Sequence, residues 1–456
     1  MYTKEVTTRS GEKVTGQNCP RIKGLNEFLG HAWRSVPMAL LALSAYPVTA
    51  LGQGLVVGSG MVYGDGTHNG SVHTIAANPG GVAGSPRVGL QFGASAGVGY
   101  EVGDVSDIID SIEEISDVFD KEDLTLEEAQ NEIDGVQDLL EQLGRDGRGK
   151  LHGTGSVPIV IGQANAGWAL AVEVAGEAHV GFSVLDDELR FVPESQEIQS
   201  RTSLYLKGAQ IGRLSVAPSF QVAKLGSGKI FMGARVNSYD AEMYKTVIAL
   251  QDTDKDPGEV ISDELDRQVE SSTAMGLDLG VIYQGSIFRG GLTWLNVNEP
   301  EFDFPSLGTG CGQLTDPDQQ ANCYTAASFS NEIKLRESWQ LNEQARAEFA
   351  FHDPAQRFVL AGSYELNSVL DVSGDEYQWL SLSASYRLPW YLKWIPDLRV
   401  GYRANQVGSE LSYYSAGLTW LGILNLDAAV SEQTIDYEGD SIPRSAMANL
   451  GVQLRF

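Results

Sequence analysis

Three groups of residues in this chain have types and spacing that could do chemistry. Gly93-Ala94-Ser95-Ala96-Gly97 fits the G-x-S-x-G pattern of a serine nucleophile, and Gly144 to Lys150 nearly fits a phosphate-binding loop. Asp252, Asp254 and Asp256 alternate as the first carboxylates of a calcium loop do. A serine nucleophile needs a strand-to-helix turn, with an acid and a histidine to follow. Here the motif lies inside an alternating run, where Gly, Ser and Gly form the small face. Leu151 stands where a phosphate loop needs a hydroxyl for magnesium, and neither His179 nor His352 has an evident serine partner in the sequence. Pro257 stands where a calcium loop turns on glycine, and Asp263 replaces its bidentate glutamate. An acidic turn is therefore the plainer reading and calcium the sharper one. The expectation is a protein that is no enzyme and needs no cofactor.

Cys311 and Cys323 lie in a polar loop rich in turn formers. They are expected to form a disulfide outside the cytoplasm. No histidine is near enough in sequence to make a zinc site.

The elements that must position these residues follow from charge and periodicity. Acidic residues outnumber basic ones by 60 to 32, giving a net charge of -28. Such a chain repels phosphate backbones, so no nucleic acid is expected as a partner. Residues 1–50 read as an export leader. Arg21, Lys23 and Arg34 precede the apolar stretch Ser35 to Val48, and Val48-Thr49-Ala50 places cleavage after Ala50. That stretch falls well short of the roughly twenty residues a membrane-spanning helix requires. Any membrane crossing must therefore use strands.

Two-residue alternation recurs along 87–456. In the first strand Val88, Leu90, Phe92, Ala94, Ala96, Val98 and Tyr100 form one face, and small or polar residues form the other. Leu398, Val400, Tyr402 and Ala404 likewise oppose Arg399, Gly401, Arg403 and Asn405. Runs of about ten such residues suit strands with lipid on one side and a lumen on the other. Arg235, Asp278, Arg289, Arg346, Glu348, Arg399, Arg403 and Asp427 fall on the inferred lumen-facing side. Tryptophans 168, 294, 339, 379, 390, 394 and 420 stand near strand ends, where interfacial girdles lie. Leu450, Val452, Leu454 and the terminal Phe456 resemble the assembly signal read by the outer-membrane insertion machinery. Fifteen candidate strands can be marked. The expected fold is all-β, a transmembrane antiparallel barrel of about fourteen strands within twelve to sixteen. Its environment is then the lipid of the Gram-negative outer membrane.

Two insertions interrupt the barrel. Residues 104–144 change to helical spacing, with Thr125 and Glu128 as a capping box between two helices. Fifteen acids and one lysine, Lys121, lie between Asp104 and Glu141. Residues 244–272 are a second acidic insertion. Residues 51–86 contain Asn78-Pro79-Gly80 among turn formers and suit a compact segment tucked into the barrel.

The order of leader, Asn-Pro segment, alternating strand and acidic helical hairpin is familiar, as are the stretches DPAQRFVLAGSYELN and DLRVGYRANQ. Together they resemble the exported family of conjugal transfer TraF-like proteins. More distantly, Asn78-Pro79 before a barrel is similar to the long-chain fatty-acid transporter (FadL) superfamily, whose Asn-Pro-Ala motif belongs to an N-terminal plug. The resemblance implies a plugged barrel that passes small apolar solutes. The alternative is a structural or surface-interaction barrel of the envelope, linked to conjugal transfer.

Overall fold

The computed structural model describes residues 57–84 except 59, 65 and 69, then 89–104, 118, 121, 124–163, 167–194, 196–249, 265, 267–388, 394–437 and 440–456. The leader with Ala50, the carboxylates Asp252, Asp254 and Asp256, Trp390 and most of the first expected helix lie outside the described residues.

Fourteen strands close into one antiparallel barrel. They are β1 (Leu90–Val102), β2 (Arg148–Gln163), β3 (Trp168–Leu185), β4 (Ser203–Leu225), β5 (Gly228–Ala249), β6 (Val269–Gln284) and β7 (Phe288–Leu295). The circuit continues through β8 (Gln344–His352), β9 (Phe358–Glu365), β10 (Trp379–Tyr386), β11 (Asp397–Asn405), β12 (Ser412–Trp420), β13 (Leu424–Ser431) and β14 (Ser445–Arg455). The alternating C-terminal strand pairs back onto the first, with Phe92 opposite Leu454 and Val98 opposite Ala448. Closure leaves no strand edge unpaired.

The outer wall is apolar and the inner wall is polar. Leu214, Val216 and Phe220 of β4 are exposed, as are Leu450, Val452 and Leu454 of β14. Their strand neighbours Arg213, Ser215, Ser219, Asn449 and Gln453 are buried. An exposed apolar band on every side of a closed barrel is a lipid-facing surface. Trp168, Trp294, Trp394 and Trp420 are exposed along it, as a girdle requires. Trp339 and Trp379 are buried instead. Trp339 belongs to the rim loop 296–343 and stacks on Phe302 against the inner wall, and Trp379 stacks on Tyr377 inside the mouth.

Strand parity places the six longest connections on one rim, and the ten-residue connection 387–396 on the other. Residues 103–147, 186–202, 250–268, 296–343, 366–378 and 432–444 all join strands on the first. The connections 164–167, 226–227, 285–287, 353–357 and 421–423 are short and lie on the opposite rim, with Phe456. The acidic helix α1 (Leu126–Asp146) therefore stands on the long-loop rim. It starts at the Thr125–Glu128 capping box and buries Ala129, Val136, Leu140 and Leu143 against Val184, Leu189 and Ile198. The second acidic insertion is narrower than 244–272, because β5 runs to Ala249 and β6 begins at Val269.

β4 and β5 have 23 and 22 residues, against 8 in β9, so the wall is much taller on one side. In the tall section the apolar parity inverts. Leu214 and Val216 face lipid, but Ala209 and Ile211, of the opposite parity, are buried against Phe302, Phe304, Trp339 and Leu341. A rim loop, residues 296–343, fills the space inside the extended wall and sets this new apolar face. The change of phase explains why alternation divides β4 into two candidates, 200–208 and 211–222, where there is one strand. Removing that division leaves fourteen.

Candidate functional site

Residues 57–84 lie inside the barrel and meet its inner wall all round. A short helix at Gly60–Tyr63 contacts β10 to β13, and another at Gly81–Gly84 contacts β2 to β6. Between them the chain crosses the lumen. Asn78 is fully buried and makes the tightest joint. Its Nδ2 donates to the carbonyls of Val281 on β6 (3.2 Å) and Leu292 on β7 (3.1 Å), and its Oδ1 accepts from Gly80 N (2.9 Å). Ser219 Oγ donates to Gly80 O (2.9 Å) and accepts from Ala83 N (3.2 Å). An asparagine suits this place because it supplies a donor and an acceptor at once.

The wall is shaved down to receive this segment. A Cβ at Gly233 would lie 2.3 Å from Pro79 O, and one at Gly280 would lie 2.1 Å from Asn78 Oδ1. Gly401 faces Val62 O in the same way, at 2.6 Å. A Cβ on Gly80 would meet the carbonyls of Gly280 (2.9 Å) and Phe231 (3.0 Å), so alanine is poorly accommodated where glycine stands. Pro158 lacks the N–H a ladder needs. The β1–β2 pairing skips Gly93 and Ala94 beside it, next to Val72 and His73 of the segment.

The lumen-facing charges serve two uses. Arg235 Nε donates to Asp278 (2.6 Å), and Arg399 Nε donates to Asp427 (2.6 Å), making two buried wall pairs. Arg235 also reaches the internal segment, its Nη1 donating to Ala76 O (3.2 Å), and three more of these residues bind the segment directly. Arg346 donates to Ala77 O (3.2 Å), Arg289 to Thr67 O, and Glu348 accepts from Thr67 N (2.5 Å). Arg403 instead lies over the Trp379 ring at 4.1 Å.

The mouth on the long-loop rim is covered. Loop 296–343 carries the Cys311–Cys323 disulfide and a helix, α2 (Pro317–Ser328), that packs against β5. Its Glu337 accepts from Lys207 Nζ (2.9 Å) and Lys245 Nζ (3.4 Å) on the extended strands. A second loop, 366–378, brings Asp371 to Lys150 (2.9 Å) and Ser373 Oγ to His179 Nε2 (2.7 Å). The serine partner of His179 is thus distant in sequence. Asp371 approaches that same ring nitrogen at 3.8 Å rather than the other one, so the three do not form a triad. Ser95 of the G-x-S-x-G pattern sits on the inner face of β1, sharing a hydrogen bond with Ser156.

Sequence reasoning did not find Lys207, Lys245 and Glu337, nor the network in which Tyr377 joins Lys150 to Glu101 while Asp371 joins it to His179. Their partners lie in rim loops with no periodicity. The wall glycines Gly233, Gly280 and Gly401, all on inward faces, were the available signal for the internal segment.

The molecule is a closed, plugged antiparallel barrel. The family model described as "F plasmid transfer operon, TraF, protein" matches residues 75–365, more than half of the chain. The chain belongs to that family. No curated protein matches the sequence. Among solved structures, the Ralstonia pickettii toluene transporter TbuX is similar at 10% identity and a TM-score of 0.47, covering 85% of this chain and 94% of that one. A Pseudomonas aeruginosa FadL homologue is similar at 9% identity and a TM-score of 0.43, covering 90% and 98%. The Pseudomonas putida toluene transporter TodX is similar at 11% identity and a TM-score of 0.42, covering 89% and 98%.

Proposed function

We propose that this chain is an outer-membrane channel for small solutes, apolar ones included, with residues 57–84 as its gate. The observation that carries this reading is the internal segment itself. It is a separate stretch of chain, joined to the wall by hydrogen bonds and close packing against glycine. Such contacts can be exchanged for water or solute without disturbing any strand pair. The interrupted β1–β2 pairing beside Val72 and His73 adds a weak place in the wall at plug level. In this reading the leader is cleaved after Ala50, and the alternating strand ending in Phe456 delivers the barrel to the outer-membrane assembly machinery. The long-loop rim faces outward and the short turns face the periplasm, as is usual for such barrels.

A second reading, a non-transporting envelope scaffold linked to conjugal transfer, is favoured by one specific observation. Buried pairs such as Arg399–Asp427, together with the clamped rim loops, fill the lumen much as a packed core would. Conductance in planar bilayers, with uptake of small apolar solutes by a deletion strain, separates the two. The channel reading predicts current events and reduced uptake. Silence in the first and normal uptake in the second would leave the scaffold.

A further inference from the structure

Where the plug meets the short-turn rim, His68 is the hub of a turn. Its carbonyl accepts from Ser71 N (3.0 Å) and Thr74 Oγ1 (3.3 Å), and its ring stacks on Tyr63 at 4.2 Å. The wall grips the chain on both sides of it. Arg289 donates to Thr67 O, and Arg455 Nη2 donates to Gly70 O (2.6 Å). The ring closes the turn. Gly70 N donates to its Nδ1 (3.0 Å), and its Nε2 meets Ser385 Oγ on β10 (2.9 Å).

These contacts require a neutral imidazole. A backbone N–H can only donate, so Nδ1 carries no proton and the single ring proton lies on Nε2, toward Ser385. A second proton would point an N–H from Nδ1 at the N–H of Gly70, donor against donor. The ring must then leave Ser385, or the turn must open. The nearby charges do not reward that proton. His68 stands in the field of Arg387, Arg289, Arg399 and Arg455. The acids are committed to those arginines and to the backbone. Glu348 faces Arg289 and accepts from Thr67 N and Thr67 Oγ1. Asp397 faces Arg387 and accepts from Leu388 N, and Asp427 is held by Arg399. Two neighbouring histidines are arranged differently. His352 Nδ1 donates to Asp353 O (3.1 Å), and its Nε2 faces the Gln284 amide (3.1 Å), which can turn its oxygen toward a new proton. His73 Nε2 donates to Val452 O (3.1 Å), and among the described residues its Nδ1 has no hydrogen bond to lose.

We propose that the plug is held by an acid-sensitive joint: protonation of His68 below about pH 6.5 frees the turn at His68–Gly70 from β10 and opens the gate. This rests on residues 57–84 being the gate and names what moves it. A water-sized cavity of about 10 Å³ on the short-turn rim touches the ring and gives protons a way in. Seated, the ring refuses a proton that it accepts once displaced. The joint is therefore at full strength above the ordinary imidazole value, and the displaced population rises about tenfold for each pH unit lost below it.

The test follows hydrogen exchange of the full mature chain in detergent, as protection factors, which remove the intrinsic pH dependence of amide exchange. Protection across residues 60–84 is expected to fall about 30-fold between about pH 7.5 and about pH 5, while the wall strands keep theirs. His68→Asn keeps an acceptor near the Nδ1 position and takes no proton, so its protection stays level. His352→Gln and His73→Asn keep the fall. Level protection in the unaltered chain, or a fall that persists in His68→Asn, overturns the proposal. Should His68→Asn not fold, the unaltered chain and the other two variants decide. A fall confined to residues 60–84 in all three upholds the joint, and level protection in the unaltered chain ends it. Planar-bilayer current at both ends of the pH range separates this idea from the gate reading. Protection lost in acid without current at either end upholds the joint and refutes the channel. Equal current at both ends with level protection keeps the channel and refutes the joint.

Discussion

Replacing Gly280 with alanine presses on the plug at its tightest contact. The new Cβ would lie 2.1 Å from Asn78 Oδ1, 2.8 Å from Pro79 Cδ and 2.9 Å from Gly80 N. Ordinary contact begins at 3.4 Å, so Asn78 must withdraw by roughly 1.3 Å, the difference of 3.4 and 2.1. That movement breaks the bond from Gly80 N to Asn78 Oδ1 and the two from Asn78 Nδ2 to Val281 O and Leu292 O. At about 1 kcal/mol of net stabilisation for each bond, the plugged state loses about 3 kcal/mol. The displaced population then rises roughly 150-fold. The barrel should not notice, because Gly280 pairs with Gly233 and Thr293 through backbone alone. Hydrogen exchange followed by mass spectrometry reads this directly. Peptides covering residues 70–84 should exchange about a hundredfold faster, while those in β9 to β13 keep their wild-type rates. Gly212→Ala is the control, since its added Cβ would find nothing nearer than 3.7 Å. The reasoning is refuted if residues 70–84 exchange as in the wild type, or if the whole barrel accelerates together.

Other perturbations address the wall and the lid. Asp278→Ala leaves Arg235 buried without its carboxylate, holding only the Ala76 carbonyl, and should cost about 3–5 kcal/mol in urea unfolding from lipid vesicles. Removing both side chains should recover part of that loss, and a double variant no better than the worse single one contradicts the pairing. Burial pushes the Glu337 carboxyl up, but Lys207 and Lys245 outweigh it and hold it below its ordinary value of 4.5. A carboxyl depressed in the folded state stabilises fully above that ordinary value, and the stabilisation is lost as pH falls through the lower folded one. Proteolysis within 296–343 should therefore quicken only below about pH 4.5, and Glu337→Gln should make it fast at neutral pH as well.

How much of this was legible depended on whether a residue's environment was set by its own strand. β1 and β11 to β14 read plainly, since lipid on one side and lumen on the other impose one parity from end to end. The lumen-facing arginines could be marked for the same reason, although periodicity could not say that Arg346 and Arg289 would grip the plug backbone rather than acids. β4 misled because its upper half swaps lipid for the rim loop, and the apolar residues change sides between Ile211 and Leu214. Alternation marks one strand over 157–173, which misses the first half of β2 and runs past its end into β3. That first half turns Lys150, His152 and Thr154 inward between glycines, which leaves little apolar alternation to see. Contacts across the lumen, such as Asn78 with β6 and β7 or Ser373 with His179, join residues far apart in sequence. No local pattern records them.

The central claim is that the segment crossing the lumen, and not the wall's own side chains, keeps this barrel shut. Its most direct test is the single-channel current of a chain lacking residues 57–84, compared with the intact chain after reconstitution into the same planar bilayer. The account predicts long-lived open current from the shortened chain and brief, rare openings from the intact one. A shortened chain that inserts, resists heat and protease as a folded barrel, and yet passes no current would contradict it.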